Sequence, residues 1–131
     1  MRVLELKDID KVYGEKESEV KALNNVNLSV EQGEFIAIVG TSGSGKSTLL
    51  NIIGGMDIPT KGKVIIRNRD IASLKRKELT VFRRRNIGFV FQNYSLMPVL
   101  NVYDNVALPV TFDKGKRIDH KYICFNKVST F

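Results

Sequence analysis

Three stretches of the chain alternate apolar and polar residues in the way that half-buried β-strands do. They are Val3–Ile9, Val20–Leu23 and Val26–Val30, and the turn-forming pair Asn24–Asn25 separates the second from the third. A shorter run over Lys63–Arg67 also has the composition of a strand. The pattern predicts strands of an antiparallel sheet joined by polar turns.

Two other runs are apolar almost throughout rather than alternating. Phe35–Val39 is continuously apolar, which is typical of a central strand covered on both faces. Ile87–Gln92 is a similar run that ends at a polar residue. We therefore expect both runs to be buried strands in the core of an α/β fold.

The remaining periodic segments predict helices. The first follows residue 48 and runs to Gly54–Gly55, where a glycine provides the left-handed cap. The segment Leu74–Arg85 is amphipathic, because its apolar residues lie near one helical face and most of its basic residues lie elsewhere. Those apolar residues are Leu74, Leu79 and Phe82. Asn101 is a good N-cap for a further helix that continues to about Val110.

Length and composition place this chain among globular proteins. Its 131 residues make one domain or a piece of one, and its hydrophobic content of 43% is ordinary. No apolar run approaches the roughly 18 residues of a membrane span, and Glu5 stands where the apolar core of a secretory signal would be. We therefore expect a cytoplasmic protein. One cysteine, Cys124, and one histidine, His120, cannot build a zinc site.

The net charge of +7 is concentrated in one part of the chain. Residues 61–85 contain ten basic and two acidic residues, a local charge of +8. Such a patch could hold nucleic acid or anionic lipid, but no aromatic residues are interleaved in the manner of single-strand binders. We favour a solvated helix face close to a membrane-associated partner, and we do not expect a nucleic-acid partner.

The candidate chemistry lies in the loop between Phe35–Val39 and the first helix. This loop fits the phosphate-loop pattern G-x-x-x-x-G-K-[ST], and it has the strand before and the helix after that the pattern requires. Its residues are Gly40, Thr41, Ser42, Gly43, Ser44, Gly45, Lys46, Ser47 and Thr48. The alternative, a Gly/Ser turn that happens to precede a lysine, requires four fixed positions to coincide by chance.

Each part of this loop has a chemical role. The glycines let successive N–H groups point inward and form an anion nest at a helix N-terminus. Lys46 would reach the β- and γ-phosphates of a nucleotide, Ser47 would ligate Mg²⁺, and Thr48 would donate near the α-phosphate. Kinases, GTPases and transport ATPases all use such a loop, so the reaction stays open at this point.

A second set of residues narrows the class of protein. Together with the phosphate loop (Walker A), the chain has an aromatic A-loop candidate in Tyr13, a Q-loop candidate in Phe91–Gln92, and Val20–Val26 leading into the core. In these features it resembles the ATP-binding-cassette (ABC) ATPases, in particular the type that drives macrolide export and lipoprotein release. The resemblance covers residues 1 to about 117.

The resemblance implies a fold and a site. It implies an α/β, P-loop NTPase fold in which an antiparallel β subdomain joins an incomplete RecA-like core. It implies ATP and Mg²⁺ as cofactors, Lys46 and Gln92 as catalytic residues, Ser47 and Gln92 as metal ligands, and Tyr13 stacked on adenine. Residues 1–117 would be the N-terminal portion of the ATPase domain, and residues 118–131 an atypical tail at the start of its helical subdomain.

The resemblance also implies partners. The loop Tyr94–Leu100 would help to receive a coupling helix of a membrane permease, which gives its apolar residues a reason to be exposed. The family works with a second ATPase subunit, and this placement corresponds to the cytoplasmic, inner face of the cell membrane.

Several motifs of the resembled family do not occur in these residues. There is no Ser-Gly-Gly triplet of an LSGGQ-like signature and no apolar run that ends in an Asp-Glu pair. We therefore expect a C-terminally truncated ATPase that, alone, binds nucleotide weakly at best and does not hydrolyse it. Three alternatives stay open: a small-molecule P-loop kinase, a nucleic-acid-associated ABC relative, and a non-catalytic regulatory remnant that binds ATP.

Overall fold

The computed structural model describes residues 1–91 and 96–111. Its ordered elements fall in two units, residues 1–88 and residues 89–131. The strands are β1 (Arg2–Tyr13), β2 (Val20–Glu31), β3 (Lys61–Ile66) and β4 (Arg69–Asp70). The helices are α1 (Lys46–Ile53), α2 (Arg76–Asn86) and α3 (Val102–Thr111), and a single 3₁₀ turn covers Lys16–Ser18. The first unit holds every one of these elements except α3.

One antiparallel sheet forms the base of the first unit, with strand order β2-β1-β3-β4. The central strand β1 has β2 on one side and β3 on the other. Both pairings are antiparallel, which confirms the predicted antiparallel sheet. The pairing of Tyr13 with Val20 closes one end of the β1–β2 ribbon.

The predicted turn at Asn24–Asn25 is wrong, because β2 continues through this pair as one strand. Ile9 pairs with Val26 and Lys11 pairs with Leu23, so two residues of β2 face the single residue Asp10 of β1. This arrangement is a β-bulge. Asn25 has a left-handed φ of 49°, and its N–H donates to Asp10 Oδ1 at 2.8 Å. The side chain of Asp10 therefore satisfies the backbone group that the bulge releases.

A single hydrophobic core holds the sheet to α1 and α2. Its buried residues come from all of these elements and from the segment after β4: Leu6, Ile9, Leu23, Leu49, Ile52, Val64, Ile66, Ile71 and Phe82. Leu74 and Leu79 pack against this cluster, as the amphipathic pattern predicts. Burial of this apolar surface, rather than helix propensity, is what stabilises elements as short as α1.

The two predicted central strands are not formed. Phe35–Val39 has no strand structure, and Phe35 and Val39 are 93% and 87% exposed. Residues 87–91 also have no strand structure, and Gln92 lies outside the described residues. A strand requires a neighbour for its N–H and C=O groups, and in the described part of the chain neither run has a paired neighbour. Without a paired neighbour, apolar composition alone does not produce a strand here, and of these two runs Ile38 and Ile87 still pack against the core.

The predicted helices are present, with small shifts at their ends. Helix α1 is followed by Gly55 with a φ of 63°, the expected left-handed glycine. Helix α2 begins at Arg76 rather than Leu74, because Glu78 accepts a hydrogen bond from the Lys75 N–H at 3.1 Å and fixes the start. In the second unit, Asn101 Oδ1 accepts the Asp104 N–H at 2.8 Å, which confirms Asn101 as the N-cap of α3.

Candidate phosphate-binding site

The loop Gly40–Thr48 turns sharply before it enters α1. Gly43 and Gly45 have left-handed φ values of 80° and 86°, while Ser44 between them does not. A left-handed residue next to a right-handed one points neighbouring N–H groups into the same concavity, which forms an anion nest. The Ser44 N–H also donates to the Thr41 carbonyl at 3.3 Å and closes the turn. The loop therefore has the alternating signs of φ that are typical of an anion nest.

Gly45 is also fixed by the sheet beside it. A Cβ atom placed on Gly45 would lie 2.5 Å from the Ala22 carbonyl oxygen and 3.0 Å from Leu23 Cδ2. The loop therefore passes directly over β2, and a side chain at this position would push it away. Gly43 has no atom within 4 Å of the equivalent position, so its requirement is for backbone conformation alone.

Lys46 is the first residue of α1, and its ammonium group bends back over the loop. Lys46 Nζ donates to the Thr41 carbonyl oxygen and, at 3.2 Å, to Ser44 Oγ. The loop thus holds a positive charge above its own backbone. An anion in the nest would offer Nζ stronger, charge-assisted hydrogen bonds than these neutral oxygens do.

The remaining loop residues surround the start of α1. The first N–H groups of a helix have no partner inside the helix, and the helix dipole places positive charge there. Thr41, Ser42 and Ser47 are exposed and Thr48 is half-buried. The exposed Ser47 hydroxyl stands one residue after Lys46, so the donor set fits a phosphate with an attached divalent cation.

Tyr13 lies at the last position of β1, 41% exposed. Tyr13 pairs with Val20 on β2. Two residues further along β2 is Ala22, the residue that Gly45 overlies. At about 3.4 Å per strand residue, the predicted base-stacking residue and the phosphate loop share one region of the sheet.

The sequence did not predict the residues that hold Tyr13. The Tyr13 hydroxyl donates to Asp57 Oδ2 at 2.6 Å, and Lys11 Nζ donates to Asp57 Oδ1, also at 2.6 Å. Lys11 Nζ additionally lies 4.8 Å from the centre of the Tyr13 ring. Lys11 and Tyr13 are two residues apart on a strand and so point to the same side. That spacing is the signal that could have indicated the pair, whereas Asp57 is distant in sequence.

The charge state of Asp57 follows from these contacts. Burial by itself raises the pKa of the Asp57 carboxyl, but the hydrogen bonds from Lys11, Tyr13 and the Ile58 N–H outweigh burial and lower the pKa below its usual value. The carboxylate is therefore the form that the surrounding groups stabilise.

The Q-loop candidate is described only as far as Phe91. Gln92 and the first residues of the predicted permease loop, residues 92–95, lie outside the described residues, as do His120 and Cys124. Within the second unit, Leu96, Met97 and Val106 line an apolar groove of about 250 Å³. Leu96 and Val99 in this loop are 65% and 85% exposed.

Four basic residues of the first unit line a separate groove. It has a volume of about 590 Å³ and lies between the β3–β4 hairpin and α2. Arg67, Arg69, Lys77 and Arg85 contribute to its walls, and Phe82 to its floor. Glu78 Oε1 lies 3.8 Å from Arg69 Nη2, so this carboxylate offsets part of the positive charge of the groove.

The glycine turn, the lysine and the helix that follows define a P-loop nucleotide-binding domain, here only in part. The chain belongs to the ABC transporter family, since the model of that family, described as ABC transporter, matches residues 23–129. Among the residues described, no helix has the length and apolar character needed to cross a bilayer.

Relatives and solved structures agree with this assignment. The chain is 50% identical over 110 residues to an uncharacterized ABC transporter ATP-binding protein, MJ0796, of Methanocaldococcus jannaschii, covering 84% of this chain and 47% of that protein. It is 44% identical over 110 residues to the macrolide export ATP-binding/permease protein MacB of Hyphomonas neptunium, covering 84% of this chain and 17% of that protein.

The structural comparison gives the same result. The dimeric, post-hydrolysis structure of the MJ0796 ATP-binding cassette, bound to ADP and Pi, matches with a TM-score of 0.86 at 45% identity. The match covers 92% of this chain and 54% of that one. The chain thus spans about half of a cassette of this kind, and the predicted fold class is confirmed.

Proposed function

We propose that this chain is the ATP-binding part of an ABC transporter ATPase, whose whole protein couples ATP binding and hydrolysis to transport through a permease. The observation that carries the proposal is the left-handed turn at Gly43 and Gly45, which delivers Lys46 and the N-terminus of α1 to one point. The neutral loop oxygens that Lys46 Nζ now contacts form weaker hydrogen bonds with the ammonium group than the phosphates of a triphosphate would.

Each residue of the phosphate loop, together with Tyr13 and Gln92, has its own role in binding Mg·ATP. The backbone from Gly40 to Gly45 cradles the phosphates, Lys46 binds the β- and γ-phosphate oxygens, and Thr48 donates near the α-phosphate. Ser47 and Gln92 hold the Mg²⁺ ion, which neutralises phosphate charge when bound. Tyr13 stacks on the adenine ring, where an aromatic face adds affinity at small entropic cost. Thr41, Ser42 and Ser44 shape the loop.

The proposed partners follow from the relatives and from the exposed apolar loop. The groove beside Leu96 and Met97 receives an apolar helix of a permease subunit. A second ATPase subunit completes the site, and the protein works at the inner, cytoplasmic face of the membrane. Residues 1–117 belong to the N-terminal portion of the ATPase domain, and residues 118–131 are an atypical tail at the start of its helical subdomain.

Binding is tested by titrating the purified 131-residue chain with a fluorescent ATP analogue in the presence of Mg²⁺. We expect saturable binding that Lys46→Ala weakens by at least about tenfold, since the lysine makes charge-assisted bonds to the phosphates. Lys63→Ala is the matched control, because Lys63 is an exposed lysine on β3. Equal affinity of the two variants would contradict the proposal.

Hydrolysis is a separate part of the proposal. Positioning of the phosphates without a general base and an opposing signature motif leaves little catalysis, so the 131-residue chain should bind ATP without turning it over. Phosphate release at millimolar Mg·ATP is measured with malachite green. Release by the unmodified chain that Lys46→Ala abolishes would refute this part and leave the binding proposal intact.

The basic groove beside α2 favours a second candidate, a nucleic-acid-associated ABC protein. Four basic residues around one groove are the kind of surface that neutralises phosphates. Binding to double-stranded DNA or RNA that weakens steeply between about 50 and 200 mM salt, and that Lys77→Ala reduces, would support this candidate. Without such binding, the transporter ATPase is retained.

A further inference from the structure

We infer that Asp57 and Lys11 form a clamp that fixes the Tyr13 ring for a flat, uncharged group next to the phosphate loop, so that Asp57 is a positioning residue for nucleotide binding. The inference rests on the proposed function and deepens it, because it concerns residues outside the phosphate loop. The clamp acts on the base end of the ligand, whereas Lys46 and its neighbours bind the phosphate end.

The clamp holds the tyrosine at two points. At the ring's tip, the hydroxyl donates to Asp57 Oδ2 at 2.6 Å. On one ring face, Lys11 Nζ lies 4.8 Å from the centroid, a cation–π distance. The ammonium group therefore occupies one side of the ring. The part of Tyr13 that stays exposed, 41% of its surface, is available to a second flat group.

Asp57 and Lys11 are themselves held firmly. Lys11 donates to Asp57 Oδ1 at 2.6 Å and to the Ile58 carbonyl at 2.7 Å, and its side chain is 12% exposed. The Ile58 N–H donates to Asp57 Oδ1 at 2.7 Å. Asp57 Oδ1 therefore accepts a charge-assisted bond from Lys11 and a backbone bond from Ile58, which fixes the carboxylate, and with it the Oδ2 acceptor of the Tyr13 hydroxyl, before any ligand arrives.

The clamp is continuous with the helix that begins at the phosphate loop. The Met56 and Asp57 N–H groups donate to the Asn51 carbonyl of α1 at 2.8 and 3.2 Å. Further along, the Thr60 N–H donates to the Asp10 carbonyl at 2.8 Å, and the Val12 N–H donates to Thr60 Oγ1 at 3.0 Å. The loop after α1 is thus bonded to both α1 and β1, so it links the position of Tyr13 to that of Lys46.

Pre-organisation of the ring has a measurable consequence. A ring that is already held loses less conformational freedom on binding than a free one, and ordering one side chain costs about 0.5–1.5 kcal/mol. The clamp should therefore favour ligands that carry a base and leave base-free polyphosphates unaffected. This difference separates a positioning role from a general structural role, which would affect both ligands alike.

The test compares dissociation constants for ATP and for inorganic tripolyphosphate, both with Mg²⁺, on the full 131-residue chain. Tyr13→Phe keeps the ring and removes the hydroxyl, and Asp57→Asn keeps the shape and removes the charge. We expect each variant to weaken ATP binding about threefold to tenfold with tripolyphosphate unchanged. The loss of ATP affinity in the double variant should be smaller than the product of the two single losses, because both substitutions alter the Tyr13–Asp57 hydrogen bond, although Asp57→Asn also weakens the ion pair with Lys11.

The controls and contrary outcomes are distinct. Asp104→Asn, an Asp-to-Asn change on α3, should leave both constants unchanged, and Lys46→Ala should weaken both ligands. Equal loss of ATP and tripolyphosphate in Asp57→Asn, or no loss of either, would overturn the clamp while the proposed function stands. Failure of the unmodified chain to bind either ligand would overturn the proposed function and the clamp with it.

Discussion

Asn105 and Met97 exchange two hydrogen bonds across the turn that precedes α3. The Met97 N–H donates to Asn105 Oδ1 at 2.8 Å, and Asn105 Nδ2 donates to the Met97 carbonyl at 3.2 Å. The same amide nitrogen also lies 3.0 Å from the carbonyl oxygens of Leu100 and Asn101. One side chain on the helix thus accepts from the Met97 N–H and reaches three loop carbonyls, of which those of Met97 and Asn101 also accept the Leu100 and Asn105 N–H groups at 3.1 and 3.0 Å.

This relationship predicts the effect of Asn105→Ala. Without the amide, the Met97 N–H loses its acceptor Asn105 Oδ1 and the Leu100 carbonyl loses its donor Asn105 Nδ2, so opening of the loop should become easier. We expect the peptide covering residues 96–105 to exchange its amide hydrogens about tenfold faster, as hydrogen-exchange mass spectrometry would show, since opening would be easier by about 1–1.5 kcal/mol. Peptides from β1 and β2 should exchange as before.

Asn24→Ala is the matched control for this change. Asn24 is an exposed asparagine on β2, and its replacement should leave the exchange of residues 96–105 unaltered. If Asn105→Ala left that exchange unaltered too, the hydrogen bonds of Asn105 would not be what holds the loop.

Two glycines of the phosphate loop should respond differently to alanine. At Gly43 the new Cβ meets no atom within 4 Å, so Gly43→Ala costs only the left-handed backbone, about 1–2 kcal/mol. At Gly45 the same backbone penalty applies, and the Cβ also meets the Ala22 carbonyl oxygen at 2.5 Å. Gly45→Ala should therefore lower the free energy of unfolding by a further ~1–3 kcal/mol.

The measurement is urea unfolding followed by circular dichroism, with each glycine variant serving as the control for the other. Equal destabilisation by the two substitutions would mean that the loop can move away from β2 without loss, and that the close approach of Gly45 to Ala22 is not a constraint.

Local patterns predicted the parts of the fold that local physics determines. The alternation in β1, the cap of α3 at Asn101 and the left-handed glycine after α1 each depend on residues within a few positions of one another. The glycine turn at Gly43 and Gly45 is of the same kind, since it depends on the conformational freedom of single residues.

The errors and omissions concern relationships between distant residues. The apolar run Phe35–Val39 predicts a buried strand, but its composition does not depend on whether a paired neighbour exists. The composition of the Asn24–Asn25 pair favours a turn, but the pairing of β2 with β1 makes the pair part of a β-bulge. The clamp was not predicted because Asp57 meets Tyr13 across 44 positions and Lys11 across 46.

Helix α1 offers a test of how the core supports the phosphate loop. Ile52 is 1% exposed within the core, and Leu50 on the same helix is 45% exposed. Ile52→Ala leaves a cavity and should lower the free energy of unfolding by about 2–5 kcal/mol, whereas Leu50→Ala should cost less than about 1 kcal/mol. Both values come from urea unfolding, and similar losses would show that α1 is not anchored through Ile52.

The clamp at Asp57 also predicts a pH dependence of stability. The hydrogen bonds from Lys11, Tyr13 and the Ile58 N–H hold the pKa of Asp57 in the folded protein below its usual value of 3.8. A group with a lowered folded pKa contributes stability that is present above the usual pKa and is lost as the pH falls through the folded pKa. Asp57→Asn should therefore destabilise the protein by about 1 kcal/mol near pH 7.

The loss should shrink as the pH falls below 3.8, because the carboxyl of the unmodified protein then takes up a proton and loses its advantage over the amide. Urea unfolding of the two proteins at a series of pH values gives the difference directly. Asp104→Asn, an Asp-to-Asn change on α3 outside the clamp, is measured in parallel as the control. A loss from Asp57→Asn that stayed equally large at the lowest pH would show that the ionised carboxylate is not what holds Lys11 and Tyr13.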